Sequence, residues 1–155
     1  MHTIMIVDDD KTQLLMAQKT LDNDYRSMTM ERGKNAIEYL KKAKKLPSLI
    51  LLDIDMPIVN GFEVFSWLRK NDATRDIPVI FVTGNDDAST ELEAYSLGAV
   101  DFILKPYSPE ILKRKVDLHI NMLDKKRRLQ AENSDLLDYN DQLQDYNTEL
   151  QNMAQ

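Results

Sequence analysis

Short apolar runs alternate with segments of helical periodicity along most of the chain. Five aliphatic runs predict β-strands, at residues 3–8, 25–30, 48–53, 77–84 and 100–105. Between the strands, apolar residues recur three and four positions apart, which predicts helices over residues 11–24, 34–45, 62–71 and 88–99. A further helical pattern begins at Pro109 and continues to the end of the sequence. Strands that alternate with helices in this way predict an α/β fold, a doubly wound parallel sheet of five strands covered on both faces.

Polar residues stand where four of the predicted strands end. Asp8 and Asp9 close the first strand, Asp53 the third, Thr83 the fourth and Lys105 the fifth. In a doubly wound sheet, ligands bind outside the carboxyl ends of the strands, at the point where the strand order reverses. We therefore expect three carboxylates, a hydroxyl and an amine to meet at one edge of the sheet.

This set of side chains suits phosphoryl transfer to a carboxylate. Clustered carboxylates are costly unless a cation neutralises them, and an oxygen-rich cluster favours Mg²⁺ or Mn²⁺, with Asp8 and Asp9 as the best candidate ligands. Asp53 lies at the end of the central strand and is the best candidate nucleophile. Lys105 and Thr83 would contact the oxygens of the phosphoryl group.

Each of these residues also has an ordinary structural interpretation. Asp9 or Asp10 could cap the helix that follows the first strand. Asp55 precedes Pro57 and could be a turn residue that offers only its backbone carbonyl to a metal. Taken singly, such residues are more often structural, and it is their joint occurrence at four strand ends that favours a functional site.

The sequence resembles the receiver domain of two-component response regulators over residues 2–122. The segments that carry the resemblance are VDDD at 7–10, LLDIDMPIVNG at 51–61, PVIFVTG at 78–84 and GAVDFILKP at 98–106. The resemblance implies a flavodoxin-like sheet with strand order 2-1-3-4-5. It also implies a signalling role as the phosphate acceptor of a histidine kinase or phosphotransfer protein, with slow autodephosphorylation and no enzymatic activity towards other substrates.

The resemblance assigns a role to each matching residue. Asp53 would accept the phosphoryl group and contact the metal together with Asp8, Asp9 and the backbone carbonyl of Asp55. Thr83 and Lys105 would contact the phosphoryl group, and the bond from Lys105 to Pro106 would be cis. The family's switch pairs the threonine with an aromatic residue on strand five and alters the face formed by helix four, strand five and helix five. That aromatic is Phe102 here, where many relatives carry tyrosine.

The chain continues past the resemblance as an uninterrupted helical pattern. Residues 122–155 contain no glycine or proline, and Met122, Leu129, Leu136, Leu143 and Leu150 recur every seven positions. A seven-residue repeat predicts a left-handed coiled coil. Two stripes could complete its core, and they consist of Asn133, Asn140 and Asn147 or of Tyr139, Tyr146 and Met153. We predict a receiver domain at 1–122 and a coiled-coil extension or linker at 123–155 that forms a parallel homodimer. The alternative is a disordered acidic tail.

Composition narrows the function further. The net charge of −6 is spread over both parts of the chain and argues against direct binding to nucleic acid. The chain has no cysteine and two histidines, which excludes disulfides and makes a zinc site improbable. No apolar run is long enough to span a membrane and no signal peptide is evident at the N-terminus, so a cytoplasmic protein is expected.

Two other functions compete with a phosphorylation switch. A phosphatase of the dehalogenase type also uses two aspartates spaced as in Asp53 and Asp55, but it needs an inserted cap that this chain lacks. A receiver-like domain that is never phosphorylated could instead act as a constitutive coiled-coil dimerisation module.

Overall fold

The computed structural model of the protein describes residues 1–85 and 87–154. Its strands are β1 Thr3–Val7, β2 Arg26–Met30, β3 Leu49–Asp53, β4 Val79–Thr83 and β5 Asp101–Leu104. Its helices are α1 Lys11–Leu21, α2 Gly33–Lys42, α3 Gly61–Lys70, α4 Ala88–Ser96 and α5 Pro109–Met153. Every predicted element is present, and the ends differ by a few residues from those predicted.

The five strands form one parallel sheet in the order β2-β1-β3-β4-β5, as predicted. β3 is central, and all five of its residues are buried. Pairing brings the carboxyl ends of the strands to one edge, since Asp53 lies opposite Val82 and Thr83 lies opposite Leu104. The connections between parallel strands must cross over the sheet, which is why each is a helix.

The core lies on both faces of the sheet. Successive strand residues point to opposite faces, so Leu49 and Leu51 join a cluster with α1 and α5, and Ile50 and Leu52 join a cluster with α2, α3 and α4. A strand buried on both faces needs apolar residues at every position. This explains the continuous aliphatic run that precedes Asp53.

Two local features account for the weak pattern of one strand and for the end of one helix. β2 is an edge strand whose residues are half-buried or exposed, which is why its apolar pattern is weak. α4 ends at Ser96 because Gly98 adopts a φ of 104°, a conformation that few residues other than glycine tolerate.

The chain divides into two compact units, residues 1–120 and residues 121 onward. The last part of α5 makes up the second unit, in which every described residue after Leu123 is exposed. Of the helices in the described part of the chain, none has the length and apolarity needed to cross a lipid bilayer. We retain the predicted division of the sequence at residue 122 as a proposal.

Candidate functional site

Asp53 is held rigidly at the end of the central strand. The residue is only 3% exposed, and the loop that follows β3 returns to pack directly against it. Gly61 makes this return possible. Its N–H donates to the carbonyl of Ile54 at 2.9 Å, and a Cβ at this position would lie 2.3 Å from the carbonyl oxygen of Asp53. Only glycine therefore fits, and the loop packs directly against the backbone that carries the Asp53 carboxylate.

The aspartates after β1 divide into two roles. Asp8 is 5% exposed and Asp9 is exposed, whereas Asp10 caps α1 by accepting from the N–H groups of Thr12 at 2.9 Å and Gln13 at 3.4 Å. Asp10 thus takes the capping role that the sequence left open between it and Asp9. Its own N–H donates to Asp8 Oδ1 at 3.0 Å, which helps to orient the buried carboxylate.

Lys105 contacts two of the carboxylates in this cluster. Its Nζ lies 2.7 Å from Asp8 Oδ2 and 3.6 Å from Asp53 Oδ1, and its side chain is 18% exposed. The backbone N–H of Lys105 donates to the carbonyl of Thr83 at 2.7 Å, which ties the end of β5 to β4. The peptide bond to Pro106 is cis, as predicted.

Charge in the cluster is only partly compensated. Burial, followed by the negative charge of Asp8, raises the pKa of Asp53 from 3.8 to about 7, and the nearby Lys105 ammonium opposes this shift. Burial acts to lower the pKa of Lys105, but the hydrogen bond to Asp8 and the charges of both carboxylates outweigh it and leave that pKa raised. The Lys105 ammonium therefore does not fully offset the burial of the Asp53 carboxylate and its repulsion from Asp8, and a further cation would favour the ionised form of Asp53.

The acidic residues fit a divalent metal of the oxygen-binding kind. Asp8, Asp9 and Asp53 each place a carboxylate oxygen within 4.8 Å of the others, which suits a hard cation such as Mg²⁺ or Mn²⁺. Among the described residues, the carboxylate of Asp55 lies outside this group. The role predicted for Asp55 uses its backbone carbonyl and stays a prediction.

The structure joins Thr83 to Asp55, a contact that the sequence did not predict. Thr83 is fully buried, and its hydroxyl donates to Asp55 Oδ2 at 2.9 Å. The same hydroxyl oxygen accepts from the N–H of Asn85 at 3.2 Å. The threonine hydroxyl therefore bridges the loops that follow β3 and β4. Its predicted contact with a phosphoryl group stays a prediction.

Phe102 lies on β5 with its side chain directed into the core. It is 8% exposed and belongs to the cluster packed against α2, α3 and α4. It also borders a cavity of about 300 Å³ that is lined by Glu91 from α4 and Ile111 from α5. The predicted switch residue thus connects the core to the face formed by α4, β5 and α5.

Tyr107 is a further neighbour of the site, and the strand-end pattern of the sequence did not predict it. It lines a small cavity with Asp8 and Gln13, and it also lines the larger cavity beside Phe102. Burial, followed by the charges of Asp8 and Asp53, raises the pKa of its hydroxyl to about 12. The signal that could have identified it is an aromatic residue directly after the lysine and proline that end β5.

Comparison with known proteins identifies relatives over most of the chain. A protein of Vibrio cholerae named "Probable cyclic di-GMP phosphodiesterase" is 39% identical over 131 residues, which are 84% of this chain and 29% of that protein. The chain spans between 9% and 61% of the length of the first curated relatives that it matches.

Solved structures with the same fold include a signal receiver domain from Vibrio parahaemolyticus, with 26% identity and a TM-score of 0.76 over 83% of this chain and 96% of that one. Another is the BeF₃-activated receiver domain of DrrB from Thermotoga maritima, with 26% identity and a TM-score of 0.70 over 78% of this chain and 98% of that one. Residues 4–117 match the response regulator receiver domain family. With the sheet order and the strand-end cluster described above, this match shows that the chain belongs to the response regulator receiver domain family.

Proposed function

We propose that this protein is a phosphorylation-dependent signalling switch in which Asp53 accepts the phosphoryl group. The observation that carries the proposal is the position of Asp53, which is buried in a carboxylate cluster with the ammonium of Lys105 at 3.6 Å. A carboxylate held rigidly beside a cation is prepared to attack phosphorus without further rearrangement. The membership of the receiver family supports the same function.

The reaction requires a phosphohistidine donor, on a sensor histidine kinase or a phosphotransfer protein. A carboxylate oxygen of Asp53 attacks the phosphorus, the bond from phosphorus to the imidazole nitrogen breaks, and the imidazole leaves with the electron pair of that bond. Lys105 and Thr83 contact the phosphoryl oxygens, on which negative charge is concentrated during transfer. Later, water slowly attacks the same phosphorus, the bond from phosphorus to the Asp53 oxygen breaks, and inorganic phosphate leaves with the free carboxylate restored. The domain therefore catalyses only its own modification.

Magnesium is the metal that we propose for the acidic cluster, with manganese as a substitute. The carboxylates of Asp8, Asp9 and Asp53 would hold it together with the backbone carbonyl of Asp55. When bound, the ion would supply positive charge to the carboxylates and to the incoming phosphoryl group. The raised pKa of Asp53 supports this assignment, because a cation would restore the ionised form that acts as nucleophile.

The switch would begin with the hydroxyl of Thr83. In the structure this hydroxyl donates to Asp55, and a phosphoryl group on Asp53 would compete for it. When the hydroxyl moves, the side chain of Phe102 would change position in turn, and this would alter the face formed by α4, β5 and α5. We propose that the change alters pairing of two copies through α5 and the extension at 123–155, in the cytoplasm. Such a dimer could control an output such as cyclic di-GMP hydrolysis, the activity in the name of the Vibrio cholerae relative.

Beryllofluoride binding tests the site directly, because beryllofluoride mimics an acyl phosphate. We would add it with Mg²⁺ and follow the fluorescence of Trp67, which packs partly against the core from α3, together with the mass by light scattering. The Asp53→Asn variant removes the acceptor. Asp72→Asn is the matched control, because the Asp72 side chain is 95% exposed and lies on another part of the surface.

A fluorescence response that needs Mg²⁺ and is lost in Asp53→Asn but kept in Asp72→Asn is the expected result. A simultaneous change in mass would mean that pairing of two copies, through α5 and the extension at 123–155, depends on the switch. Absence of any response, with the protein folded, would overturn the proposal and favour a constitutive dimerisation module.

A further inference from the structure

The second unit of the chain exposes a regular apolar stripe. Its members are spaced by seven residues and are 41–60% exposed, and they are Met122, Leu129, Leu136, Leu143 and Leu150. All described residues after Leu123 are exposed, so packing within this chain does not stabilise the helix there. Because most helical stability in proteins comes from packing of an apolar face, this segment of α5 needs a partner surface.

The residues beside the leucines define one heptad frame. If the leucines occupy position d, position a holds Lys126 followed by three asparagines, Asn133, Asn140 and Asn147. The other frame, with leucine at a, would place both Lys125 and Glu132 at buried d positions. The first frame buries one charged residue and the second buries two, and a buried unpaired charge is costly. Parallel two-stranded coiled coils also favour leucine at d and tolerate asparagine at a, where it fixes the register. The leucines therefore belong at d and the asparagines at a, and the stripe of Tyr139, Tyr146 and Met153 falls at the flanking position g.

Three asparagines at successive a positions select the partner. In a parallel, aligned pair each a residue faces the same residue of the other helix, so each asparagine meets another asparagine, and the two amides can both donate and accept. In an antiparallel pair, position a faces position d, so each asparagine would lie against a leucine with its amide unsatisfied. The partner helix must therefore carry an asparagine opposite each of these three asparagines. A second copy of this chain meets that requirement.

Charge placement agrees with a second copy. From Asn133 onward every acidic residue falls at an outer position b, c or f, and these residues are Asp135, Asp138, Asp141, Asp145 and Glu149. The flanking g and e positions from Tyr139 are uncharged, so that a parallel pair places Tyr139 near Gln144 and Tyr146 near Gln151 of the other copy. From Asn133 onward, two identical helices can therefore approach along this face without bringing like charges together, whereas Lys126 at the preceding position a would face its counterpart in the other copy.

One feature of the sequence favours the opposite orientation. Residues 125–128 are all basic, and every acidic residue of this segment except Asp124 lies further along, so antiparallel helices would bring unlike charges near each other. Most of these charges are exposed at outer positions, where ion pairs contribute little and salt screens them. The asparagines would be desolvated in the core of the pair, so their pairing decides the orientation.

We infer that residues 122–154 form a parallel, in-register two-stranded coiled coil with a second copy of this chain, specified by pairing of Asn133, Asn140 and Asn147. This inference rests on the homodimer of the proposed function and gives it an orientation and a register. It does not require phosphorylation, because the leucines and asparagines that would pair are exposed in the structure as it stands.

Single-cysteine cross-linking tests the arrangement, because the full chain has no cysteine of its own. The test variants Asn133→Cys and Asn147→Cys are each paired with a control two residues earlier at position f, Ala131→Cys and Asp145→Cys. A disulfide requires Cα atoms within about 7 Å of each other. In an antiparallel pair that places Asn140 against Leu143, each test cysteine would lie at least ~16 Å along the axis from its twin, 11 or more residues away.

We expect both test variants to form disulfide-linked dimers under mild oxidation at least about tenfold faster than their controls, because pairing raises the local thiol concentration. Only one fast test variant, or heterodisulfides in a mixture of the two test proteins, would show antiparallel pairing and overturn the inference. Equal rates for tests and controls would indicate random collision and would also overturn it.

The same cysteine variants can be combined with Asp53→Asn and cross-linked without Mg²⁺. This tests the coiled coil independently of the phosphorylation switch. Cross-linking that persists there while beryllofluoride has no effect on the unsubstituted protein would keep the coiled coil and reject the switch. A Mg²⁺-dependent response to beryllofluoride without cross-linking would keep the switch and reject the coiled coil.

Discussion

Replacing Asp53 with asparagine should stabilise the metal-free protein at alkaline pH. Asp53 keeps its proton in the folded state up to a pKa of about 7, whereas the unfolded chain releases it near the reference value of 3.8. Between these values the folded state binds the extra proton, so stability falls as the pH rises, by about 1.4 kcal/mol per pH unit. Over the whole window the cost reaches about 4 kcal/mol, and it is fully present above pH 7.

The neutral amide of Asp53→Asn removes this cost, and Lys105 keeps its 2.7 Å contact with Asp8. Urea unfolding in EDTA should therefore show the variant more stable than the unsubstituted protein at pH 8 by up to about 4 kcal/mol, with the difference shrinking steadily towards pH 5. Adding Mg²⁺ at pH 8 should stabilise the unsubstituted protein more than the variant. The exposed control Asp72→Asn should show no such pattern. Equal stabilities at pH 8, or a difference that does not change with pH, would refute the reasoning.

Three further substitutions test the site and its supports. Lys105→Met leaves the buried carboxylates uncompensated, so it should lower the free energy of unfolding at pH 8 by about 3 kcal/mol and abolish the response to beryllofluoride; unchanged urea unfolding would contradict this. Gly61→Ala forces a Cβ to within 2.3 Å of the Asp53 carbonyl oxygen and should cost at least about 2 kcal/mol, whereas the control Gly84→Ala, whose Cβ meets no atom within 4 Å, should be neutral in the same measurement. Ile58 is 90% exposed at a φ of 70°, so Ile58→Gly should raise the thermal midpoint and add about 1 kcal/mol of stability, while Ile58→Ala, which keeps the Cβ, should not.

The sequence by itself determined the order of elements and the chemistry at the strand ends. Strands buried on both faces need unbroken apolar runs, so the segment before Asp53 could be identified without any knowledge of its neighbours. The edge strand β2 gave a weaker pattern because much of it is exposed. The residues that end β1, β3, β4 and β5 could then be placed at one edge, because parallel strands with helical crossovers bring their carboxyl ends together.

Only the tertiary structure decided which side chains at that edge contact each other. Lys105 lies closer to Asp8 than to Asp53, Thr83 donates to Asp55, and Tyr107 approaches from beside the cluster. These contacts join residues from different elements, and their distances depend on how helices and loops pack over the sheet. The raised pKa of Asp53 has the same origin, because burial and the charge of Asp8 exist only in the folded protein. Spacing along the chain specifies which residue types reach an edge, and packing in three dimensions specifies their distances and their charges.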